Sequence, residues 1–272
     1  MRSLAAALLV PCFALAAPPA APLGDKPVDA GPYVPSPQSV VSDMLKLAEV
    51  GPQDFVIDLG SGDGRIVRTA ALIFGASGFG VEIKDELVRQ SNADAAREGI
   101  AERVKFVKAD LFKTDISRAT VLTLYLLPHT VNLLKDKLLA ELKPGTRVLS
   151  HDYPLSGWVP EKYVQMDLED KVKISGVTTT LIYLYVVPAK VAGRWSARGP
   201  GGAMTLDLKQ QVTRVSGTAR SGGRDIALQD VKLRGERLSF RLDGKTYSGR
   251  VSGAAIEGEI EGGDAWRAQR AK

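Results

Sequence analysis

Between residues 36 and 150, buried-strand patterns alternate with amphipathic-helix patterns, and this alternation constrains the fold more than any other feature of the sequence. The first helix pattern opens at Ser36-Pro37-Gln38-Ser39, with a capping serine and a proline in its first turn, and stops at Gly51-Pro52. The predicted strands then cover residues 55–59, 78–83, 104–108, 119–126 and 147–150, and the predicted helices cover residues 65–74, 85–98 and 128–141. Such alternation predicts an α/β fold in which helices cover both faces of a parallel sheet.

The alternation ends in two β-rich stretches, residues 172–174 and 178–187, without a helix pattern between them. Consecutive strands joined by a short connection pair in antiparallel fashion. We therefore expect an antiparallel pair at the edge of the sheet.

A second domain follows Pro188-Ala189, where apolar residues begin to recur at every second position. Turn pairs such as Gly222-Gly223 and Asp243-Gly244 separate about eight short strands, which predicts a small all-β barrel or sandwich. The predicted organisation is a leader and the start of a linker at residues 1–22, an α/β domain at 31–189 and a β domain at 193–272.

The positive charge of the chain belongs to the β domain. The net charge is +5, and residues 190–272 carry 16 Lys/Arg against 9 Asp/Glu. A basic domain can bind nucleic acid or another anionic surface. Because the basic residues are interspersed with acidic ones, the composition favours a solvated arginine-rich surface, and the ligand of this domain is left open.

The N-terminus has the pattern of a secretion signal. Arg2 precedes an apolar stretch over residues 4–17, and Ala14-Leu15-Ala16 forms a small-x-small cleavage site. The stretch is too short for a transmembrane helix, so the pattern predicts export to the periplasm or the medium. The single cysteine, Cys12, lies in this leader, which excludes a disulfide framework and a cysteine nucleophile in the folded domains.

The sharpest motif is Asp58-Leu59-Gly60-Ser61-Gly62-Asp63-Gly64-Arg65, where a buried strand passes into a helix. Glycines at this point allow the backbone to turn sharply and to approach a ligand closely, while the helix N-terminus offers unpaired N–H groups. The spacing differs from the dinucleotide fingerprint Gly-x-Gly-x-x-Gly, because Arg65 stands where the third glycine would be.

Acidic residues mark the ends of the next two strands. Glu82 ends the second strand, where a carboxylate can accept hydrogen bonds from both hydroxyls of a ribose. Asp110 follows the third strand, where it can accept a hydrogen bond from an adenine amino group while Leu111 packs on the ring.

Together these three features resemble the class I S-adenosylmethionine-dependent methyltransferases. The resemblance implies a Rossmann-like seven-stranded sheet and the cofactor S-adenosyl-L-methionine. It implies the following cofactor-binding residues: Asp58, Gly60, Ser61, Gly62, Asp63, Gly64, Glu82, Asp110 and Leu111.

A narrower resemblance covers about residues 31–187. Pro32-Tyr33-Val34-Pro35-Ser36-Pro37, the glycine motif, Tyr125-Leu126-Leu127-Pro128 and Pro144-Gly145-Thr146-Arg147-Val148 are similar to the FAM173 group of lysine methyltransferases and their bacterial relatives. This resemblance implies methylation of a protein lysine, which the eukaryotic members carry out on mitochondrial proteins. It does not extend to the β domain.

The end of the fourth strand bears on the methyl acceptor. Tyr125-Leu126-Leu127-Pro128 lacks the Asn/Asp-Pro-Pro-Tyr/Phe pattern with which amino-methylating enzymes grip a base or an amide, so DNA is not expected as a substrate. What remains is direct in-line transfer to an amine that arrives deprotonated. The candidate residues on the acceptor side are Tyr33, Tyr125, Pro128, His151 and Asp152.

Alternatives stay open for these residues and for the whole chain. Tyr33 and Tyr125 can line a lysine channel or pack as core or lid, and His151-Asp152 can act as a base pair or form a capped turn. The main prediction is an exported two-domain methyltransferase that N-methylates a protein lysine. The alternatives are a noncatalytic envelope protein with a retained adenosyl pocket and a small-molecule or RNA methyltransferase. A cytoplasmic location is compatible with the sequence because the cofactor is made there.

Overall fold

The computed structural model describes residues 33–172 and 176–271. The predicted leader at residues 1–22 and residues 173 and 174 of the predicted edge strand lie outside this part of the chain. Within the described ranges, no helix has the length and apolar character needed to span a membrane.

The first half of the described chain forms a seven-stranded sheet with helices on both faces. Its helices are α1 (Gln38–Leu47), α2 (Arg65–Phe74), α3 (Asp85–Arg97) and α4 (Pro128–Glu141). Its strands are β1 (Phe55–Leu59), β2 (Ser77–Glu82), β3 (Val104–Lys108), β4 (Val121–Leu124), β5 (Arg147–His151), β6 (Lys162–Asp167) and β7 (Thr179–Val186). The strand order is β3-β2-β1-β4-β5-β7-β6, in which β1 to β5 are parallel and β7 is antiparallel to both neighbours. The predicted methyltransferase-type fold is confirmed.

Adjacent residues of the central strand β1 serve two separate cores, which explains the continuous apolar run in the sequence. Val56 packs on one face with Met44 and Leu45 of α1, and Ile57 packs on the other face with Leu134 of α4. All three of these partner side chains are fully buried. A strand covered on both sides cannot alternate between apolar and polar residues.

Two local predictions were wrong. Helix α1 begins after Pro37 without a side-chain cap, because the hydroxyl of Ser36 instead lies 2.9 Å from Nδ1 of His151. The edge strand is β6, and Val172 ends a short 3-10 turn at Glu169–Lys171. β6 was missed because an edge strand is half exposed and this one, Lys-Tyr-Val-Gln-Met-Asp, carries little apolar signal. The antiparallel pairing at the sheet edge is confirmed in β6 and β7.

The second sheet is antiparallel and nearly closes into a barrel. Its strands are β8 (Gly193–Gly199), β9 (Gly202–Gln211), β10 (Arg214–Ser221), β11 (Arg224–Ala227), β12 (Gln229–Arg234), β13 (Arg237–Leu242), β14 (Lys245–Ser252), β15 (Ala255–Ile260) and β16 (Ala265–Arg270). β8 pairs with both β9 and β16, and the gap lies between β11 and β12, which are consecutive in the chain. The predicted all-β domain is therefore a barrel rather than a sandwich, with nine strands in the described chain instead of about eight.

The barrel contacts the amino end of the parallel strands. Val212, in the turn between β9 and β10, packs on the core beneath the first sheet, and Gly235 lies against Gly145, just before β5. The amide of Ala189 donates to the carbonyl of Gly235 at 2.8 Å. The glycine motif lies at the opposite, carboxyl end of these strands. We propose that the chain divides into two folding units near residues 188–193, since each side has its own core.

Replacing Trp195 with alanine should unfold the barrel separately. Trp195 is fully buried in the barrel core, and its indole donates to the carbonyl of Val191 at 2.8 Å. The cavity left behind should cost about 3–5 kcal/mol of barrel stability. Calorimetry should show one of two transitions moving down.

The matched control is Trp158→Ala, since Trp158 is buried in the first core against Tyr185, with 5.2 Å between ring centroids. This variant should lower the other transition. A single transition that moves equally in both variants would contradict the division into two units.

Candidate active site

A cavity of about 300 Å³ opens at the carboxyl ends of β1, β2, β3 and β4. The end of β1 contributes the glycine loop, and the ends of the other strands contribute Glu82, Asp110 and Tyr125. Of the residues predicted from the sequence, the cavity is lined by Tyr33, Asp58, Gly60, Ser61, Gly62, Asp63, Glu82, Asp110, Leu111 and Tyr125. In the described chain, its lining does not include Gly64, Pro128, His151 or Asp152.

The glycine loop needs glycine for two reasons. Gly60, Gly62 and Gly64 all have positive φ, at 82°, 54° and 77°. In addition, a Cβ atom on Gly62 would lie 2.3 Å from Cε2 of the Tyr33 ring. A side chain at Gly62 would therefore combine backbone strain with a steric clash.

Glu82 fixes the loop against the neighbouring strand. One carboxylate oxygen, Oε2, accepts the N–H of Gly62 at 3.0 Å, and the other, Oε1, accepts the N–H groups of Ile83 and Lys84 at 2.8 and 2.9 Å. A carboxylate has about four acceptor positions, so one is left for a ligand hydroxyl. The side chain is 9% exposed and lines the cavity.

Asp58 lies at the bottom of the cavity and is buried. Its Oδ1 accepts a hydrogen bond from the Thr123 hydroxyl at 2.7 Å. Burial raises the pKa of Asp58 to about 7, and the charges of Glu82 and Asp63 act in the same direction against the hydrogen bond from Thr123. The carboxyl group is therefore poised to change its charge near neutral pH when a cation binds beside it.

Arg65 clamps the segment before α1 over the glycine loop, and it was not among the predicted site residues. Its Nη2 lies 2.6 Å from Oδ2 of Asp63, and its Nη1 donates to the Ser36 carbonyl at 2.8 Å. Burial and the nearby charge of Asp63 raise the pKa of Tyr33. Burial alone would raise the pKa of Asp63, but the hydrogen bonds and charge of Arg65 lower it. The sequence signal for the Asp63–Arg65 ion pair was the placement of opposite charges on either side of Gly64.

Two further observations indicate that the cavity fits S-adenosylmethionine. Ser61 Oγ is buried and has no hydrogen-bond partner in the described part of the chain, which costs about 1–3 kcal/mol unless a ligand supplies one. Ile83 lines the cavity and keeps 44% of its surface exposed, which suits the face of an adenine ring. Ile83 was missed, although an apolar residue between Glu82 and Lys84 at a strand end was a signal.

Tyr125 forms the wall of the cavity after β4, and His151 lies behind it. The two rings are stacked with 3.9 Å between centroids. His151 is fully buried, and its Nδ1 and Nε2 lie 2.9 Å from Ser36 Oγ and 3.1 Å from Thr180 Oγ1. Burial lowers the pKa of His151, so the imidazole is neutral near pH 7. Both ring nitrogens are thus engaged by hydroxyl groups.

Asp152 lies beside His151 in a left-handed backbone conformation, with φ of 64°. Its Oδ1 accepts hydrogen bonds from Lys171 Nζ at 2.6 Å and from the Leu181 N–H at 3.1 Å. Burial opposes ionisation of Asp152, but His151, Lys171 and the Leu181 N–H lower its pKa. Burial raises the pKa of Tyr125, and the charge of Asp152 raises it further. Pro128 is exposed at the first position of α4.

The fold and the cavity define a class I S-adenosylmethionine-dependent methyltransferase. The sequence model of the ANTKMT methyltransferase domain matches residues 58–162. A protein-lysine N-methyltransferase of Saccharolobus islandicus is 44% identical over 157 residues, which are 57% of this chain and 93% of that protein. The chain belongs to this methyltransferase family.

Other relatives agree on the class of enzyme. An adenine nucleotide translocase lysine N-methyltransferase of Mus musculus is 37% identical over 47% of this chain, which spans 56% of that relative. A crystal structure described as an RNA methyltransferase from Salinibacter ruber in complex with S-adenosyl-L-homocysteine is 44% identical, with a TM-score of 0.52 over 58% of this chain and 96% of that one. The predicted cofactor is thereby confirmed.

Glu82→Ala should weaken binding of S-adenosyl-L-homocysteine by about 1.5–3 kcal/mol, because the charge-assisted hydrogen bond that the remaining acceptor position of Glu82 makes to a ribose hydroxyl is lost. Calorimetric titration measures this. Glu86→Ala, which removes the same charge from an exposed position in the first turn of α3, should leave the affinity unchanged. Normal affinity in folded Glu82→Ala protein would remove Glu82 from the site.

The affinity for S-adenosyl-L-homocysteine should fall as the pH drops through about 7, where Asp58 takes up a proton in the free protein. A ligand ammonium attracts the carboxylate but not the neutral acid, so binding lowers the pKa of Asp58 and releases a proton. Below the free-state pKa, affinity should drop by up to about tenfold per pH unit.

Asp58→Asn should remove this pH dependence and bind more weakly above pH 7. Asp136→Asn, at an exposed position of α4, should retain it. A flat affinity profile in the wild-type protein would show that the ammonium group does not meet Asp58.

Proposed function

We propose that this enzyme transfers a methyl group to the side-chain amine of a protein lysine. The observation that carries the proposal is the 44% identity to the Saccharolobus islandicus protein-lysine N-methyltransferase, of which the chain covers 93%. The Mus musculus relative, also named as a lysine N-methyltransferase, supports the same acceptor residue over about half of this chain.

In this proposal, different residues of the cavity contact different parts of the cofactor. When bound, S-adenosylmethionine supplies a methyl group on a positively charged sulfur. We propose that Glu82 accepts a hydrogen bond from a ribose hydroxyl and that Asp110, Leu111 and Ile83 contact the adenine. Asp58 and Ser61, with the glycine loop, would hold the methionine end.

Tyr33 belongs with the cofactor loop in this proposal. Its ring lies directly over Gly62, and the charge of Asp63 acts on its phenol. By covering the glycine loop, the Tyr33 ring would exclude water from the cavity, and the exclusion of water would strengthen the electrostatic contacts inside it. Tyr33 therefore acts as a cover of the cofactor site rather than as a wall for the acceptor.

Tyr125 would orient the acceptor. An aromatic wall can hold the aliphatic stem of a lysine while its amine points inward. The raised pKa of Tyr125 keeps its phenol neutral, and both nitrogens of His151 are already engaged, so neither group is placed to take a proton from the amine. The acceptor must arrive deprotonated, and catalysis then rests on proximity and orientation.

His151 and Asp152 would act as positioning residues in this proposal. His151 supports the ring of Tyr125 from behind, and the charge of Asp152 lies beside both side chains. Pro128 begins α4 immediately after the Tyr125-Leu126-Leu127 segment and fixes the direction in which this segment leaves the cavity.

An RNA acceptor is the second candidate, favoured by the description of the Salinibacter ruber structure. Incubation with labelled S-adenosylmethionine, a protein extract and total RNA separates the two. Label on lysine after protein hydrolysis supports the proposal, and label confined to RNA contradicts it.

Export is proposed on the sequence pattern of residues 1–22. Mass spectrometry of the native protein should find an N-terminus near residues 17–23. An N-terminus at Met1 would place the enzyme beside the cytosolic cofactor pool instead.

Tyr125→Ala should lower kcat by at least about a hundredfold while changing cofactor affinity by less than about threefold, because alignment of the acceptor is lost and the glycine loop is untouched. Tyr163→Ala is the matched control, since Tyr163 is 65% exposed on β6. Equal turnover in the two variants would remove Tyr125 from the acceptor site.

The rate of methyl transfer should rise with pH towards the pKa of a lysine amine, about 10.4, by close to tenfold per unit. The reason is that the ammonium form has no lone pair and that neither Tyr125 nor His151 is placed to remove its proton. Measurements under single-turnover conditions test this. A rate independent of pH above neutrality would contradict a lysine acceptor.

A further inference from the structure

The barrel has an outer cleft that methyl transfer does not use. The interior of the barrel is filled by buried side chains such as Trp195, Phe240 and Trp266, with 5.6 Å between the ring centroids of the last two. A ligand of the barrel must therefore bind outside it. On the outer face, strands β10, β9, β8, β16 and β15 form a depression of about 580 Å³.

Three arginines and small polar residues line this depression. Arg198, Arg220 and Arg267 are exposed in its lining, which also contains Ser196, Thr205, Glu257 and Gln269. We call this surface the arginine cleft. Because Ser196 and Thr205 have short side chains, they leave space that the guanidinium groups can reach across.

Two of the arginines in the arginine cleft, Arg198 and Arg267, form no salt bridge among the residues that the structure describes. Arg198 and Arg267 are direct cross-strand partners on β8 and β16, an arrangement of like charges that costs stability. In the described part of the chain, neither guanidinium has a carboxylate within 4.0 Å, although Glu257 lies opposite Arg267 on β15. Arg220, by contrast, is paired with Asp225 at 3.1 Å. A bound anion would supply the partner that Arg198 and Arg267 lack.

We propose that the arginine cleft binds an acidic segment of a partner protein. Two neighbouring guanidinium groups can each grip a carboxylate through two parallel hydrogen bonds. Nucleic acids and anionic membranes need a continuous positive surface, whereas outside the cleft arginines alternate with acids, as in Arg241 with Asp230. In the cleft lining the three arginines outnumber the carboxylate of Glu257, so the excess of positive charge is local and fits a few acidic side chains.

The cleft lies far from the methyl-transfer site. The turns at Val212 and Gly235 face the first sheet, whereas Arg198 stands at the other end of β8, one residue before the hairpin that pairs Gly199 with Gly202. The cofactor cavity lies at the carboxyl end of the parallel strands, whereas the barrel contacts their amino end. The acidic segment would anchor the enzyme to its partner and would not itself present the methyl acceptor.

The test is binding of a fluorescein-labelled hexaglutamate peptide to the full chain, followed by fluorescence anisotropy at an ionic strength of about 0.15 M. Arg198→Glu with Arg267→Glu should weaken binding by at least about tenfold. The matched control, Arg214→Glu with Arg237→Glu, makes the same change of net charge at exposed positions outside the cleft. It should change affinity by less than about threefold.

The outcomes separate the proposal from its rivals. Equal loss in the two double variants would show attraction by net charge only and would overturn the site, as would absence of peptide binding. Binding of single-stranded RNA or phosphatidylserine vesicles that depends on Arg198 and Arg267, without peptide binding, would overturn the proposal and assign the cleft to a different partner. If the charge reversal disturbs folding, the peptide affinity of the double variant Arg198→Gln with Arg267→Gln is measured instead, and a loss of at least about tenfold is again expected. None of these binding measurements requires methyl transfer, so their outcome does not depend on the proposed methyl acceptor.

Discussion

The carboxylate of Glu82 joins the ends of β1 and β2, two of the strands at whose carboxyl ends the cofactor cavity opens. By accepting the N–H of Gly62 at 3.0 Å, it holds the glycine loop after β1 against the end of β2. The amides of Gly60 and Ser61 make the reciprocal connection, donating to the Val81 carbonyl at 2.8 and 2.9 Å. Since the loop carries three residues with positive φ, it would be loose without these bonds. A ligand ribose at Glu82 therefore meets a carboxylate that the backbone has already oriented, so little ordering cost is left for binding.

The segment before α1 extends this organisation from the cofactor to the acceptor side. Tyr33 lies on Gly62, the Ser36 carbonyl accepts from Arg65, and the Ser36 hydroxyl meets His151, whose ring supports Tyr125. Each link is a direct contact. Ser36 thus gives up the role of helix cap, which would have satisfied an exposed N–H of α1, and serves a buried histidine instead. An unsatisfied polar group costs more in the interior than at a solvated helix end.

The sequence predicted the parts of the molecule that depend on local pattern. The alternation of strands and helices, the barrel and the residues around Gly60, Glu82 and Asp110 follow from periodicity and spacing, and the cavity gathers them because parallel strands end at one edge. Arg65 and Ile83 escaped prediction because their roles depend on what the fold brings near them. β6 escaped because edge strands carry little apolar signal. The roles of His151 and Asp152 could not be separated from a turn, since both depend on contacts with Thr180 and Lys171 far along the chain.

The chemistry of the acceptor side follows from what surrounds Tyr125. A group that withdraws a proton from an ammonium must be accessible and must have a pKa near the working pH. Tyr125 is accessible, but burial raises its pKa, and His151 has a lowered pKa but no exposed surface. These two residues therefore provide a rigid aromatic wall instead of a base. A rigid wall helps a reaction whose barrier depends on alignment, because it restricts the acceptor before the reaction begins. It also leaves the supply of deprotonated amine to the solvent, so the enzyme selects its acceptor by shape more than by proton affinity.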